Sequence, residues 1–126
     1  MNAVLDASAL LCYLQQEPGG SLVSNALEHS VISAVNWSEV AQKITSVGIN
    51  PDNTRDLLLQ MGLQITAFNC AHADICASLW PETKALGLSL ADRACLALAM
   101  HHNWPVLTCD RVWSGLELKL DIRIIR

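Results

Sequence analysis

The sequence predicts an α/β fold in which a parallel sheet of about five strands lies between two layers of helices. Short apolar segments alternate along the chain with longer helical segments, which is the pattern of successive βα units. Hydrophobic residues make up 52% of the chain and charged residues only 16%, below the usual ~25%. Such a composition suits strands that are covered on both faces. We expect residues 1–126 to form one domain.

Three strands and four helices are predicted in the first half of the chain. Residues 2–5 are short and apolar, residues 31–35 are largely β-branched, and residues 63–67 form a third such segment. Asn36 is a good N-cap for the helix after the second strand, and Pro51 suits the first position of the next helix. Glycine and proline turns separate helices predicted over residues 9–16, 21–29, 36–47 and 51–61.

The second half of the chain adds two helices and two strands. A helix over residues 70–80 is followed by Pro81, which kinks or restarts it. Ser89 caps a strongly apolar helix over residues 90–102, which ends at an Asn-Trp-Pro turn. The strands that complete the sheet are residues 106–108 and 122–125.

The sequence argues against a secreted, membrane or zinc-binding protein. Asp6 interrupts the apolar N-terminal segment, and the longest apolar run, residues 94–100, is too short to span a bilayer. His101 and His102 are adjacent, so on a helix they point in different directions and do not share a metal ion. An odd number of cysteines without a Cys-x-x-Cys pair predicts buried, reduced thiols in a cytoplasmic protein. The cysteines are Cys12, Cys70, Cys76, Cys95 and Cys109.

Four acidic residues lie in apolar surroundings at the ends of predicted elements. Asp6 and Asp110 follow the first and fourth strands, while Glu39 and Asp92 lie in the first turns of two helices. In an open parallel sheet, the carboxyl ends of strands and the N-termini of the following helices share one edge, where ligands bind. Asp6, Glu39 and Asp110 are expected at that edge, and Asp92 joins them if its helix is turned the same way.

Each of these carboxylates also has a purely structural interpretation. Glu39 and Asp92 each lie three residues after a capping residue, so both fit a capping box. The two aspartates that follow strands can cap turns. Four converging carboxylates without paired lysines, however, repel one another and raise their pKa values. A divalent cation removes this conflict, and carboxylate oxygens suit Mg²⁺ or Mn²⁺.

The segments around these acidic residues resemble the PIN-domain family, and specifically the VapC-like ribonuclease toxins of bacterial type II toxin–antitoxin systems. The resemblance covers essentially the whole chain in order. The matching segments are residues 4–10, 32–40, 88–99 and 106–113.

The resemblance implies a three-layer α/β/α PIN-like fold and a Mg²⁺- or Mn²⁺-dependent endoribonuclease. The family's acidic positions fall on Asp6, Glu39, Asp92 and Asp110, and its small hydroxyl residue falls on Ser8. We expect the three aspartates to hold the metal and Glu39 to complete its shell or orient the attacking water. The implied partners are an RNA substrate, an antitoxin that places a basic side chain in the acidic groove, and a second copy of the chain.

Two interpretations are open for each of several residues near this site. Ser8 either contacts the metal shell or caps the first helix, and Thr108 belongs either to the site or to the sheet. Arg93 and Arg111 contact either RNA phosphate or a structural carboxylate. Trp113 either stacks on a base or packs below the site.

The net charge of −4 is unusual for an RNA-binding enzyme, because phosphate contacts favour basic surfaces. The excess of acidic over basic residues equals the number of candidate site carboxylates, and a bound metal reverses the sign of the charge there. Basic residues that can form a rim around the site are Lys43, Lys84 and Arg111.

Three other functions are open. A catalytically silent PIN-fold module that binds RNA or protein would be expected to lack an acidic position, and none is lost. A phosphatase with an aspartyl nucleophile usually has a second aspartate where this chain has Ser8. In a domain whose carboxylates only cap helices, these residues would have no affinity for Mg²⁺ or Mn²⁺.

Overall fold

Five parallel strands form one sheet at the centre of the protein. The computed structural model describes residues 2–126. The strands are β1 (Ala3–Leu5), β2 (Ser30–Ser33), β3 (Gln64–Thr66), β4 (Val106–Thr108) and β5 (Ile122–Ile124). Their spatial order is β3-β2-β1-β4-β5, and every neighbouring pair is parallel.

Seven α-helices and three 3₁₀ turns surround this sheet in the described part of the chain. The helices are α1 (Ala7–Leu14), α2 (Gly20–Ala26), α3 (Ala34–Ser46), α4 (Pro51–Gln60), α5 (Cys70–Ser78), α6 (Trp80–Thr83) and α7 (Leu90–His102). The 3₁₀ turns are Leu27–His29, Lys84–Leu86 and Arg111–Gly115.

Two hydrophobic cores cover the two faces of the sheet. Consecutive side chains of a strand point to opposite faces, so Leu5 packs with residues of α1 to α4 while Val4 packs with residues of α5 and α7. Leu10 of α1 belongs to the first core, and Leu96 of α7 belongs to the second. This arrangement confirms the predicted three-layer α/β/α fold.

The start of α3 differs from the prediction. Ser33 has extended backbone angles, and its Oγ accepts a hydrogen bond from the Val35 N–H, so Ser33 is the N-cap. The second strand therefore ends at Ser33 instead of continuing to Val35. The prediction that Asn36 caps this helix is wrong, because Asn36 already lies inside its first turn.

Two other predicted helices are divided in the structure. The helix predicted over residues 21–29 is α only to Ala26 and continues as the 3₁₀ turn Leu27–His29. The helix predicted over residues 70–80 ends at Ser78, and α6 starts at Trp80 with Pro81 in its first turn. Proline lacks the N–H that a continuous helix requires, so Pro81 restarts the helix instead of extending it.

The apolar helix α7 has the predicted bounds and lies in the protein interior. Residues 94–99 are buried, and Asn103 ends the helix in the left-handed conformation with a φ of 56°. Within residues 2–126, no helix combines the length and the apolar character that crossing a membrane requires.

All five cysteines are free thiols, as predicted. Cys12, Cys76 and Cys95 are buried and Cys109 is half-buried, but Cys70 is exposed at the start of α5. The prediction of buried thiols is therefore correct for most of them and wrong for Cys70.

Candidate functional site

The candidate site lies where the direction of the strand order reverses. From β1 the chain adds β2 and β3 on one side, and then returns to add β4 and β5 on the other. The crevice at the carboxyl ends of β1 and β4 is the position where such sheets bind ligands. Asp6 directly follows β1, and Asp110 lies two residues after β4.

Asp6 is a buried carboxylate held by three donors. It is 5% exposed and is the N-cap of α1. Its Oδ1 accepts hydrogen bonds from the Ala9 N–H at 2.8 Å and from Ser8 Oγ at 2.7 Å, and its Oδ2 accepts one from Thr108 Oγ1. A carboxylate offers about four lone-pair sites, so one remains for a ligand. The capping and site interpretations of Asp6 are therefore compatible.

Burial raises the pKa of the Asp6 carboxyl from 3.8 to about 6. The hydrogen bonds from Thr108, Ser8 and Ala9 lower this pKa, while the negative charge of Asp92 raises it further. Ion pairs within the described residues use other carboxylates, namely Glu17, Asp52, Asp56 and Asp121.

Ser8 and Thr108 connect Asp6 to the segment that carries Asp110. Ser8 Oγ accepts a hydrogen bond from the Cys109 N–H at 2.9 Å, and Thr108 Oγ1 accepts one from the Asp110 N–H at 3.0 Å. The same two hydroxyls donate to Asp6. Ser8 therefore does not cap α1; instead, both hydroxyl residues fix the carboxyl ends of β1 and β4 to each other. The side chain of Asp110 caps the 3₁₀ turn Arg111–Gly115.

The N-terminus of α7 is turned toward this edge of the sheet. Ser89 and Asp92 form the predicted capping box, with hydrogen bonds of 2.9 and 3.1 Å. The charge of Asp92 nevertheless reaches Asp6, whose pKa it raises. The capping bond uses Oδ2 of Asp92, so the other carboxylate oxygen can bind a ligand.

Glu39 lies one turn further into α3 than predicted. Because Ser33 is the cap, Glu39 does not form a capping box with Asn36; instead its Oε1 accepts a hydrogen bond from Asn36 Nδ2 at 3.1 Å. Glu39 itself is exposed.

Cys95 of α7 lies among three of the candidate carboxylates. Its thiol is fully buried, and burial raises its pKa well above the ordinary value. The charges of Asp6, Asp92 and Glu39 raise this pKa further, so all three act on the same thiol. Sequence reasoning placed neither Cys95 nor Asn36 near the candidate carboxylates. The available signal was their spacing, since each lies three residues from a candidate carboxylate on the same helix.

The other residues considered from the sequence have structural contacts. Arg93 Nη1 donates to the Cys76 carbonyl at 3.0 Å near the end of α5, and Arg111 Nε donates to the Arg126 carbonyl. Trp113 is 1% exposed and packs in the second core, so its ring has no free face on which a base could stack.

The donor set at this edge suits a hard divalent cation in its chemistry. Oxygen ligands from carboxylates are what Mg²⁺ and Mn²⁺ prefer. Within residues 2–126, no three His, Cys, Asp or Glu side chains form a ready-made metal cluster. Joint binding by Asp6, Asp92 and Asp110 therefore requires their side chains to approach one another and stays a prediction.

A cavity of about 530 Å³ lies between α1 and α3, next to Glu39. Its lining includes Ser8, Glu39 and Lys43, and Lys43 is its basic residue. A second, largely apolar groove of about 250 Å³ shares Leu11 and Lys43 with it. The remaining apolar residues of that groove are Leu14, Ile44, Val47 and Ile49.

Comparison with protein families identifies the fold. The profile of the PIN domain matches residues 3–117. The chain therefore belongs to the PIN-domain family, as its sequence motifs predicted. PIN domains of the VapC-like type are nucleases, which supports a hydrolase that acts on nucleic acid. No curated protein sequence matches the chain significantly.

Several solved structures have the same fold. A chain of a toxin–antitoxin complex from Klebsiella pneumoniae superposes with a TM-score of 0.77 and 21% identity, covering 96% of this chain and 100% of that one. VapBC2 from Rickettsia felis, bound to a promoter DNA fragment, gives a TM-score of 0.72 and 15% identity, with 98% of each chain covered. VapBC-1 from nontypeable Haemophilus influenzae gives 0.70 and 16%, with coverages of 98% and 97%. At these identities the similarity establishes the fold.

Proposed function

We propose that the protein is a Mg²⁺- or Mn²⁺-dependent endoribonuclease and the toxin of a toxin–antitoxin pair. The observation that carries this proposal is the buried Asp6 carboxylate at the reversal point of the sheet. Its pKa is raised to about 6, and the charge of Asp92 acts on it. A site that concentrates negative charge in this way favours a divalent cation. Membership of the PIN-domain family supports nuclease activity at this site.

In this function, Asp6, Asp92 and Asp110 hold the cation, and Glu39 completes its shell or orients the attacking water. The bound cation supplies an acidified water and neutralises charge on the phosphate. Ser8 and Thr108 keep the Asp6 carboxylate in place, since both donate to it and both accept backbone N–H groups from the end of β4. Arg93 helps to hold α7 in position, because its guanidinium donates a hydrogen bond to the Cys76 carbonyl of α5.

The proposed protein partners follow from the groove and from the structural neighbours. The similar structures from Klebsiella pneumoniae, Rickettsia felis and Haemophilus influenzae are toxin–antitoxin or VapBC assemblies. In this chain an apolar groove continues into the cavity beside Glu39 through Leu11 and Lys43. We propose that an antitoxin segment packs in this groove and that two copies of the chain associate. Exposed apolar side chains such as Trp80, Leu90 and Met100 are available for such contacts.

Cleavage of RNA by the purified protein tests the proposal. We expect cleavage in Mg²⁺ or Mn²⁺ and none in EDTA, because the carboxylates alone provide no acidified water. The measurement is the fraction of RNA cleaved with time, followed by gel electrophoresis, with excess Mn²⁺ added back to the EDTA sample.

Equal cleavage in EDTA and in Mn²⁺ would contradict the metal-dependent mechanism. Binding of Mn²⁺ without cleavage of any RNA, measured by calorimetry, would favour the catalytically silent alternative. Absence of Mn²⁺ affinity would favour a domain whose carboxylates only cap helices.

Lys43 is expected to bind the RNA backbone beside the site. It is exposed in the same cavity as Glu39 and Ser8. Lys43→Ala should weaken binding of single-stranded RNA and reduce the slope of log affinity against log salt by about 0.7, the value for one lost phosphate contact. Fluorescence anisotropy on an inactive Asp6→Asn background, at about 50 to 200 mM salt, measures both quantities.

The matched control is Lys119→Ala. Lys119 is exposed in the segment that precedes β5. Because β4 and β5 are parallel, this segment leads to the amino end of the strands, whereas the site lies at their carboxyl end. The control should leave the salt slope unchanged. An unchanged slope in Lys43→Ala as well would show that this lysine does not contact the backbone.

A further inference from the structure

Asn36 is a buried polar side chain that connects two of the helices that carry candidate site carboxylates. It is 1% exposed and lies in the first turn of α3. Its Nδ2 donates one hydrogen bond to Glu39 Oε1 at 3.1 Å and another to the Ala91 carbonyl at 2.9 Å. Ala91 directly precedes Asp92 in the first turn of α7. One amide group therefore fixes the Glu39 carboxylate to the start of the helix that carries Asp92.

The neighbours of Asn36 determine which way its amide points. An ionised carboxylate and a backbone carbonyl accept hydrogen bonds and cannot donate them, so the NH₂ group must face Glu39 and Ala91. The Asn36 Oδ1 then points into the protein, where it is buried and has no hydrogen-bond partner among the described residues.

An asparagine at this position is not explained by stability. A buried acceptor without a partner destabilises the folded state, whereas an apolar side chain at the same position avoids that cost. Asn36 lies one turn before Val40, an apolar residue buried in the α1–α4 core. The amide orientation that leaves this oxygen unpaired is the one that allows both donated hydrogen bonds. One of these bonds goes to Glu39, a candidate site carboxylate. A buried polar group that is partly unsatisfied and lies beside a site is expected where function requires it.

We propose that Asn36 is a positioning residue, whose amide holds the Glu39 carboxylate at a fixed place relative to Asp92. Glu39 is exposed, so its long side chain would otherwise occupy several rotamers. Fixing it keeps its oxygen ready to complete the metal shell or orient water. This inference rests on the proposed nuclease function, and it assigns a role to a residue outside the acidic set.

Asn36→Leu removes both donors and the unpaired acceptor while keeping the number and branching of the side-chain heavy atoms. We expect a folded protein with a melting temperature equal to or above that of the wild type. Its kcat for RNA cleavage should fall about 10- to 100-fold, and its Mn²⁺ affinity should fall by a similar factor, as is usual when a group that orients a ligand is lost. KM should change little, because Asn36 is buried and does not contact RNA. Asn53→Leu, on the exposed surface of α4, is the control and should change neither kcat nor Mn²⁺ affinity.

Asn36→Asp keeps the shape of the side chain and provides a second test if the leucine variant does not fold. An ionised carboxylate at position 36 cannot donate to Glu39, whereas a protonated one donates a single hydrogen bond. The kcat relative to wild type should therefore be low at neutral pH and recover in part as the pH is lowered. A merely structural role would not produce this recovery.

The outcomes separate this inference from the proposed function. Wild-type kcat in folded Asn36→Leu or Asn36→Asp, even with a lowered melting temperature, would overturn the positioning role and leave the nuclease intact. Failure of the wild-type protein to cleave RNA would overturn the nuclease function, and the positioning role with it.

Discussion

Asp6→Asn is expected to lower metal-dependent RNA cleavage by at least about 10³-fold, because it removes the central negative charge that a divalent cation requires. Asp6 is the carboxylate nearest the reversal point of the sheet, and it is positioned by Ala9, Ser8 and Thr108. Asparagine has nearly the same shape, so its Oδ1 can still accept from Ala9 and Ser8. The comparison of kcat at saturating Mn²⁺ therefore reports on charge and not on folding.

Asp74→Asn is the matched control for this substitution. Asp74 is exposed on α5, away from the hydrogen-bond network of the site, and the control should retain wild-type kcat. Circular dichroism should show that both variants are folded. Wild-type cleavage by Asp6→Asn would show that Asp6 serves only as the N-cap of α1.

The strands, the layers and most helices follow from local features of the sequence. The inner strands β1, β2 and β4 are short, uncharged segments buried on both faces. The edge strands β3 and β5 are partly exposed and include the polar residues Gln64 and Arg123. The bounds of α7 were predicted correctly because both ends have strong local signals. Ser89 and Asp92 form a capping box at its start, and Asn103 adopts the left-handed conformation at its end.

The start of α3 was predicted wrongly because two neighbouring segments compete for the same residues. Ser33 and Asn36 are both good caps, and Val35 favours a strand. The end of β2, and with it the start of α3, is determined by pairing within the sheet. β2 pairs with β3 only as far as Ser33, which lies beside Thr66. That limit is set by a segment 33 residues further along the chain, which local patterns do not contain.

The candidate site was only partly predictable for the same reason. The positions of Asp6, Glu39 and Asp110 after strands follow from chain order. The placement of Asp92 depends on how α7 packs, and the role of Thr108 depends on a contact with Asp6 across 102 residues. Because such contacts join distant segments, the sequence does not decide whether Thr108 belongs to the sheet or to the site, although its hydroxyl donates to the Asp6 carboxylate.

The raised pKa of Asp6 makes a second large effect testable, in the stability of the metal-free protein. An unfolded aspartate titrates near ~3.9, whereas the folded Asp6 titrates at about 6. The folded state therefore holds this proton more tightly than the unfolded chain does. The stability that Asp6 contributes is fully present below pH ~4 and is lost as the pH rises through about 6. At ~1.36 kcal/mol per pKa unit, the loss amounts to about 3 kcal/mol at neutral pH.

Asp6→Asn should abolish this pH dependence, because asparagine does not titrate. In EDTA, the free energy of unfolding of wild type minus that of Asp6→Asn, measured by urea denaturation, should fall by about 2 kcal/mol between pH 4 and pH 7.5. The fall is smaller than the full ~3 kcal/mol because at pH 4 about half of the unfolded aspartates are already ionised. The lowered pKa of His72 affects both proteins equally and cancels in the difference. A difference that stays constant with pH would show that the Asp6 carboxylate is not held in a desolvated site.

Addition of Mn²⁺ at pH 7.5 completes the test, because a cation that binds only the folded state stabilises it by about 2.7 kcal/mol at 100 times its dissociation constant. Wild type should gain this stability, and Asp6→Asn should gain little. Both the loss of stability without metal and its recovery with metal arise from one cause, a carboxylate kept in a buried position where its charge is unfavourable until a cation binds. The buried charge that lowers the stability of the metal-free protein at neutral pH is then the charge that would bind the cation, which is a usual relation between stability and function at a site.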